Sequence, residues 1–164
     1  MNRFFLIAVV LLLAKPAFAQ DFKQAAGVRA GLTAGFEYRV YTDELNSYRF
    51  LLGSRERGLI FHALREFHRY ELFEFSDQLN FVFGAGLHAG YERWDQQYVT
   101  YNSVYYQTRT AFIAGIDGLA GLEYMFREVP VSLGIEVKPY FDLFGREMFD
   151  FQIFDFAFTA KYHF

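Results

Sequence analysis

The sequence contains no cysteine, and its 164 residues include only three prolines and one tryptophan. The lack of cysteine excludes disulfides, thiolate metal sites, cysteine nucleophiles and a lipid-modified N-terminal cysteine. Beyond residue 20 no apolar run reaches the roughly 18 residues of a membrane-spanning helix, which argues against a helical membrane protein. Aromatic residues are abundant instead: Phe, Tyr and Trp make up 21% of the chain, as much as all charged residues together.

The N-terminus has the pattern of a secretory signal peptide. Asn2 and Arg3 precede an apolar run over residues 4–14, and Ala17 and Ala19 are the small residues that a signal peptidase reads. The run holds about 11 residues, whereas a helix needs about 20 to cross the hydrocarbon core. We therefore expect a signal peptide at 1–19, cleaved between Ala19 and Gln20, and a single domain over residues 20–164.

The charge of the chain argues against nucleic acid as a partner. The formal net charge is −3, and loss of Arg3 and Lys15 with the signal peptide makes it −5. An acidic chain without a basic stripe lacks the electrostatic surface that phosphate binding requires.

Alternation of apolar with small or polar residues runs through almost the whole mature chain. Over residues 28–40 every even position is apolar, while the odd positions are small or polar. The same period of two recurs at 81–92, 116–126, 131–138 and 154–164. Such a period predicts β-strands, so we expect an all-β protein.

Period two alone fits either a soluble barrel or sandwich or a transmembrane barrel. Three features favour the transmembrane barrel. Several strands have about 10 or more alternating residues, enough to cross a bilayer at a tilt. The polar face is rich in glycine, as the narrow interior of a barrel requires. Tyr162 and Phe164 end the last strand on its apolar face. On such a wall Phe and Leu can face hydrocarbon, while Tyr and Trp stand at the interfaces.

The number of strands follows from the alternating segments and the turns between them. Short turns are expected at 54–57 and 127–130, and a long outer loop at 92–108. Residues 25–41 are assigned to a hairpin that turns around 32–35, despite their uninterrupted alternation, because single-chain bacterial barrels avoid odd strand counts. The prediction is an eight-stranded antiparallel up-and-down transmembrane β-barrel. Its other six strands are expected near 47–53, 58–68, 78–91, 109–126, 131–142 and 151–164.

A barrel of eight strands is filled by its own side chains. We expect paired charges in its interior and no conducting pore, because unpaired charges in a narrow lumen are costly. The interior candidates are Arg29, Glu37, Arg39, His62, Glu66, His88, Asp117, Glu123, Glu136, Lys138, Asp155 and Lys161.

The segment GIDGLAGLEYMFREVPVSLGIEVKPYFDL at 115–143 resembles the small outer-membrane β-barrel proteins of the Bacteroidota, which are OmpX-like or OmpA-barrel-like. The segments GVRAG at 27–31 and LREFH at 64–68 fit the same pattern. The chain departs from the family at Val137, where an aromatic residue often precedes the Lys-Pro pair. The resemblance implies a bacterial outer-membrane location in contact with lipid, but little about activity.

The ending Tyr162-His163-Phe164 resembles the C-terminal signal by which the barrel assembly machinery recognises outer-membrane barrels. We therefore expect that machinery to insert the chain, with Tyr162 and Phe164 as the recognised residues.

Barrels of this size include lipid A deacylases and palmitoyl transferases, which need a histidine paired with a serine nucleophile. The sequence has no His-x-Ser pair, so we expect no enzyme and no catalytic residue. We also expect no cofactor and no metal, with the interior histidines held by hydrogen bonds. A metal site formed by His62, Glu66 and His88 is the alternative to hydrogen-bonded interior histidines.

The predicted outer loop carries Trp94, Tyr98, Tyr101, Tyr105 and Tyr106, a composition typical of adaptable recognition surfaces. The alternative is an aromatic girdle around the barrel mouth. The favoured hypothesis is a non-enzymatic structural or accessory subunit of a larger outer-membrane complex, such as barrel-assembly or secretion machinery, in contact with other outer-membrane proteins. The second hypothesis is a surface-exposed, OmpX-like binding or adhesion barrel that uses this loop, and the third is a lipid A-modifying enzyme.

Overall fold

The structure is a computed structural model that describes residues 23–55, 57–73, 76–100, 103–145 and 149–164. The predicted signal peptide, with its cleavage site between Ala19 and Gln20, lies outside the described residues, and so does Tyr101. Within the described part, no helix is long and apolar enough to cross a membrane.

The described residues form a single antiparallel sheet with one short 3₁₀ helix at Tyr70–Leu72. The strands, in chain order, are β1 (Gln24–Gly31), β2 (Ala34–Asp43), β3 (Asn46–Arg55), β4 (Gly58–Arg69), β5 (Leu79–Thr100), β6 (Ser103–Met125), β7 (Val131–Val137), β8 (Tyr140–Phe144), β9 (Asp150–Gln152) and β10 (Phe156–His163).

The sheet closes into a ring of eight strands. Both β7 and β8 pair with β6, so they are two pieces of one strand of the ring. In the same way β9 pairs with β8 and β10 pairs with β7, so β9 and β10 are two pieces of the neighbouring strand. Each of the eight pairs with the next along the chain, and β10 returns to pair with β1. The break between β7 and β8 falls at Pro139, because proline has no N–H to contribute to the ladder. The expectation of an all-β, antiparallel ring of eight strands is confirmed.

The hairpin predicted within residues 25–41 is also confirmed, with its turn at residues 32–33. Partners across this hairpin, such as Arg29 and Gly35, are both odd-numbered. The alternation therefore continues through the turn, which is why the sequence pattern alone does not reveal it.

The prediction of a long outer loop at 92–108 is wrong. Strands β5 and β6 stay paired as far as Thr100 and Ser103, although β4 pairs with β5 only up to Tyr91 and β8 with β6 only up to Ala114. Residues 92–100 and 103–111 thus form a two-stranded extension beyond the ring, which we call the ribbon. It is about 30 Å long at about 3.4 Å per residue. Residues 92–108 lack apolar alternation, which is why the sequence suggested a loop. Their Val, Thr and Tyr residues nevertheless favour extended strands.

Apolar side chains cover the outside of the ring, whereas charged side chains fill the inside. Phe36 and Phe158 are 74% and 72% exposed, while Arg29 and Arg39 are 2% and 1% exposed. All twelve interior candidates named from the sequence are buried. A small apolar cluster shares the interior with them and consists of Leu64, Val82 and Leu119.

Glycines on the inner face let neighbouring strands approach closely. A Cβ added at Gly84 would collide with the backbone oxygen of Arg65 and come within 3.1 Å of Glu66 Cα. These are backbone atoms of the paired strand β4, which cannot move without disturbing the ring.

We predict that Gly84→Val lowers the free energy of unfolding by about 1–3 kcal/mol, the usual cost of overpacking. The matched control is Ala85→Val, because Ala85 is the next residue and faces outward. Urea unfolding in detergent micelles, followed by circular dichroism, measures both variants. Equal stability of Gly84→Val and the wild-type protein would show that the interior has more space than the structure gives it.

Candidate functional site

One group of interior charges is balanced, and we call it the Arg49 network. Arg49 lies at the centre, with guanidinium nitrogens 3.0 Å from Glu37, 2.6 Å from Glu66 and 2.7 Å from Glu136. Arg39 joins Glu66 to Glu123 at 2.7 and 2.9 Å. Four bases therefore neutralise four acids in this network: Arg29, Arg39, Arg49 and Lys161 with Glu37, Glu66, Glu123 and Glu136.

A second group surrounds two histidines, and we call it the histidine network. The Asp117 carboxylate oxygens lie 2.7 Å from His62 Nδ1 and 3.1 Å from His88 Nδ1. The other ring nitrogen of His88, Nε2, lies 2.7 Å from Asp142 Oδ1. Arg55 pairs with Asp142 at 2.8 Å and with Glu92, and Lys138 lies between Asp117 and Asp155 at 3.3 and 3.5 Å.

Arg29 joins the two networks. Its guanidinium lies 2.6 Å from Glu136 in the Arg49 network and 3.2 Å from Asp155 in the histidine network, and it also donates to the backbone oxygen of Thr33. The interior is thus filled by one connected set of ion pairs.

The sheet register brings the histidine network together. His62 on β4 is directly paired with His88 on β5, and His88 is paired with Gly115 on β6. A Cβ at Gly115 would lie 2.7 Å from His88 Cε1, so only glycine leaves room for this ring. The His88 ring can therefore reach Asp142, which is paired with Gly115 from the other side.

The fold also brings together two serine–histidine pairs that the sequence spacing did not reveal. Ser47 Oγ lies 2.8 Å from His68 Nε2, and Ser132 Oγ lies 2.8 Å from His163 Nε2. Each serine also donates to a glutamate, Ser47 to Glu66 at 2.9 Å and Ser132 to Glu123 at 2.5 Å.

The hydrogen bonds around His68 run in the wrong direction for nucleophilic catalysis. Asn80 Oδ1 accepts from the backbone N–H of Arg69, so the Asn80 amide nitrogen donates to His68 Nδ1 at 2.9 Å. His68 therefore carries its proton on Nε2 and donates it to Ser47. A serine nucleophile needs the reverse, a histidine nitrogen that accepts the serine proton. Both serines are fully buried, so a substrate has no direct access to them.

Four buried charged residues were not among the interior candidates predicted from the sequence: Arg49, Arg55, Glu92 and Asp142. Arg49 and Arg55 share odd positions with buried Leu51, opposite the exposed Tyr48, Phe50 and Leu52, so strand parity could have identified them. Glu92 was missed because it was assigned to the loop, and Asp142 because it lies at a predicted strand end.

The recognition residues predicted at 92–108 lie on the ribbon. Trp94, Tyr98 and Tyr105 share the face that continues from the inside of the ring, whereas Tyr106 is on the opposite face. The rings of Tyr98 and Tyr105 stack at 5.4 Å, and Arg109 donates to the Tyr98 hydroxyl at 2.5 Å. Three of the five residues are therefore grouped on one surface, while Tyr101 lies outside the described residues.

The ribbon is tied to the ring by Asp95. Its carboxylate accepts from Thr108 at 2.8 Å and from Arg57 in the β3–β4 turn at 2.7 Å. The hydrogen bond from Thr108, and then that from Arg57, lowers the pKa of Asp95 below its usual range. This link is intact at neutral pH and weakens as the pH falls through that lowered pKa.

Tyr162 and Phe164 lie on the outer face of the closing strand. Their rings stack at 6.2 Å, and Phe164 exchanges two backbone hydrogen bonds with Gln24 at 2.9 and 3.0 Å. The two residues predicted as an assembly signal thus complete the seam between the last strand and the first.

No protein-family model matches this chain, and no curated protein does. Among solved structures, the fold is similar to the N-terminal β-barrel domain of OprF from Pseudomonas aeruginosa, with a TM-score of 0.52 and 14% sequence identity. The match covers 88% of this chain and 100% of that one. The likeness concerns the fold, which is that of a small outer-membrane β-barrel domain.

We predict that Arg49→Met lowers the free energy of unfolding by about 3–5 kcal/mol, because it leaves three buried carboxylates short of a cation. The control is Arg127→Met, since Arg127 and its partner Asp77 have side chains 69% and 89% exposed. Loss of this exposed pair changes stability by less than about 0.5 kcal/mol. Chemical unfolding of both variants in the same detergent makes the comparison. Similar losses for both would mean that the interior is open to water.

Proposed function

We propose that this protein is an integral outer-membrane β-barrel without enzymatic activity that serves as a structural or accessory subunit of a larger outer-membrane complex. The observation that carries the proposal is the distribution of side chains, with charges inside the ring and large apolar side chains outside. In water this arrangement would expose a continuous apolar wall at a high free-energy cost, whereas in a bilayer the wall meets hydrocarbon.

Two features of the sequence support the outer-membrane location. The signal peptide expected at 1–19 would export the chain, and the Tyr162-His163-Phe164 ending would be recognised by the barrel assembly machinery. The resemblance of residues 115–143 to Bacteroidota barrels points to the same location, as does the OprF-like fold.

Transport and catalysis are disfavoured by the filled interior. The Arg49 and histidine networks occupy the lumen with bonded side chains, so the barrel offers no water-filled path of the kind that wide porins have. Ser47 and Ser132 are both buried, and the hydrogen bonds around His68 run against activation of Ser47. What the molecule offers to partners is therefore its surface, chiefly the ribbon.

The ribbon has the properties of a site for strand addition. Beyond the ring its two strands pair with one another and with no other described strand. Each therefore has one edge whose N–H and C=O groups have no backbone partner among the described residues. Edges of this kind are commonly protected by lysine or proline, and residues 92–100 and 103–111 contain neither. An extended segment of a partner could pair with either edge while Tyr98, Tyr105 and Trp94 contact its side chains.

The second candidate is a surface-exposed, OmpX-like binding or adhesion barrel. The length of the ribbon favours it, because about 30 Å of strand beyond the ring would reach well past a lipid surface. The two candidates differ in the partner: another outer-membrane protein for the accessory subunit, and a soluble or cell-surface ligand for the binding barrel.

We predict that Ile135→Arg destabilises the barrel in lipid vesicles by about 2–4 kcal/mol, the cost of an arginine on a lipid-facing wall near the bilayer midplane. Ile135 lies near the middle of the strand formed by β7 and β8. The matched control is Val104→Arg on the ribbon, because both side chains are 53% exposed. Val104→Arg should leave the stability of the barrel in vesicles unchanged. If the wall faced water instead, the two arginines would have equal and small effects.

We predict that replacing residues 93–110 with a short Gly-Ser turn leaves the ring folded and abolishes partner binding. The flanking residues Glu92 and Ala111 are directly paired, so a tight turn can join them. The assay is affinity purification from native envelopes in mild detergent, with folding checked by circular dichroism. Tyr98→Ser with Tyr105→Ser should weaken the same interaction, whereas Tyr106→Ser on the opposite face should weaken it less.

The nature of the ribbon-dependent partner separates the two candidates. A stoichiometric outer-membrane protein supports the accessory subunit, and a soluble ligand supports the binding barrel. Recovery of the wild-type barrel alone under every mild extraction, or of the same partner with the ribbon removed, would contradict both.

A further inference from the structure

We propose that the interior binds one divalent transition-metal ion, with His62, His88 and Asp117 as its protein ligands. These three residues lie on the adjacent strands β4, β5 and β6, and their ligand atoms are all within 4.8 Å of one another. All three are buried. The site is independent of the lipid-facing wall and of the ribbon, so it goes beyond the proposed function.

The charge of the interior is the first argument for a cation at this place. The Arg49 network holds four bases and four acids and is balanced. The histidine network holds two bases, Arg55 and Lys138, but four acids, Glu92, Asp117, Asp142 and Asp155. Arg29 reaches Asp155 but already belongs to the Arg49 network. Lysine and arginine thus leave two negative charges of the described interior uncompensated, in the network that contains the two histidines. One divalent cation balances them.

The chemistry of the donors is the second argument. Two imidazoles and a carboxylate suit Zn²⁺ and other divalent transition metals, whereas Ca²⁺ and Mg²⁺ prefer oxygen ligands alone. Of these ions we infer Zn²⁺, which binds nitrogen and carboxylate oxygen in small, closed sites.

The surroundings of the two histidines are the third argument. His88 Nε2 lies 2.7 Å from Asp142 Oδ1, and a neutral His88 with its proton on Nε2 has its lone pair on Nδ1, the nitrogen beside Asp117. A carboxylate behind a ligating histidine is the usual support of such a ligand. His62 has one buried nitrogen, Nε2, without a hydrogen-bond partner among the described residues. Its ring therefore has bonding capacity that the protein itself does not use.

Lys138 is the group that a metal ion would displace. Its ammonium lies 3.3 Å from Asp117 and 3.5 Å from Asp155, both long for a buried ion pair. When the ion binds Asp117, the ammonium keeps Asp155 as its partner, so no buried charge is left alone.

The experiment titrates Zn²⁺ alone into the purified, chelator-treated full-length barrel in detergent, by calorimetry and by metal analysis after desalting. We expect one Zn²⁺ per chain. His62→Gln, His88→Gln and Asp117→Asn should each abolish this binding, and Asp142→Asn should weaken it about 10–100-fold. The matched control is His68→Gln, because His68 is equally buried but lies in the Ser47–Asn80 cluster. This variant should bind Zn²⁺ like the wild-type protein.

A second measurement does not depend on any variant folding. Co²⁺ added to the wild-type barrel should give the visible absorption of a low-coordinate site with nitrogen and oxygen ligands, and Zn²⁺ should abolish it. Absence of stoichiometric Zn²⁺ and of this absorption at pH 7–8 would overturn the proposal, since protonated histidines would then balance the two acids. Equal Zn²⁺ binding by the wild type and a folded His62→Gln variant would overturn it as well.

Discussion

Neutralisation of charge inside a narrow ring is the constraint on which the rest of this structure depends. Fourteen buried Asp, Glu, Lys and Arg side chains share the described interior, and an unpaired charge there would cost several kcal/mol. Each strand must therefore keep its register, because a slip of one residue would turn its charged side chains toward the outer wall. Ion pairs between distant strands, such as Arg49 with Glu136, thus stabilise the closed ring and fix its order at the same time.

The same constraint divides the molecule into a closed part and an open part. Where strands have neighbours on both sides, ion pairs across the lumen connect the buried charged side chains. Among the described strands, only β5 and β6 continue beyond Tyr91 and Ala114, and both faces become largely polar. The ribbon therefore carries unpaired backbone groups and accessible tyrosines, which the ring does not. For this physical reason we propose the ribbon as the part that binds partners.

Most of the ring could be predicted from the sequence, because an apolar outer wall and a charged inner face impose a strict period of two. That period identified all twelve interior candidates, and it would also have given Arg49 had it been applied to residues 47–53. It failed at the ribbon, where both faces are polar and the period disappears. The grouping of His62, His88, Asp117 and Asp142 depends on register and on the space at Gly115, and the pairing of Ser47 with His68 depends on register too. Neither follows from spacing along one strand.

We propose that the outer wall faces lipid while the charged inner face is sealed from it, and labels on β10 test this directly. Because the chain has no cysteine, single cysteines on β10 can carry a spin label without background. Relaxation by oxygen, which concentrates in lipid, and by a water-soluble nickel complex then reports the surroundings of each label in vesicles. We expect strong oxygen relaxation at 156, 158 and 160, and little relaxation by either agent at 157 and 159. Strong relaxation by the nickel complex at 156, 158 and 160 would contradict it.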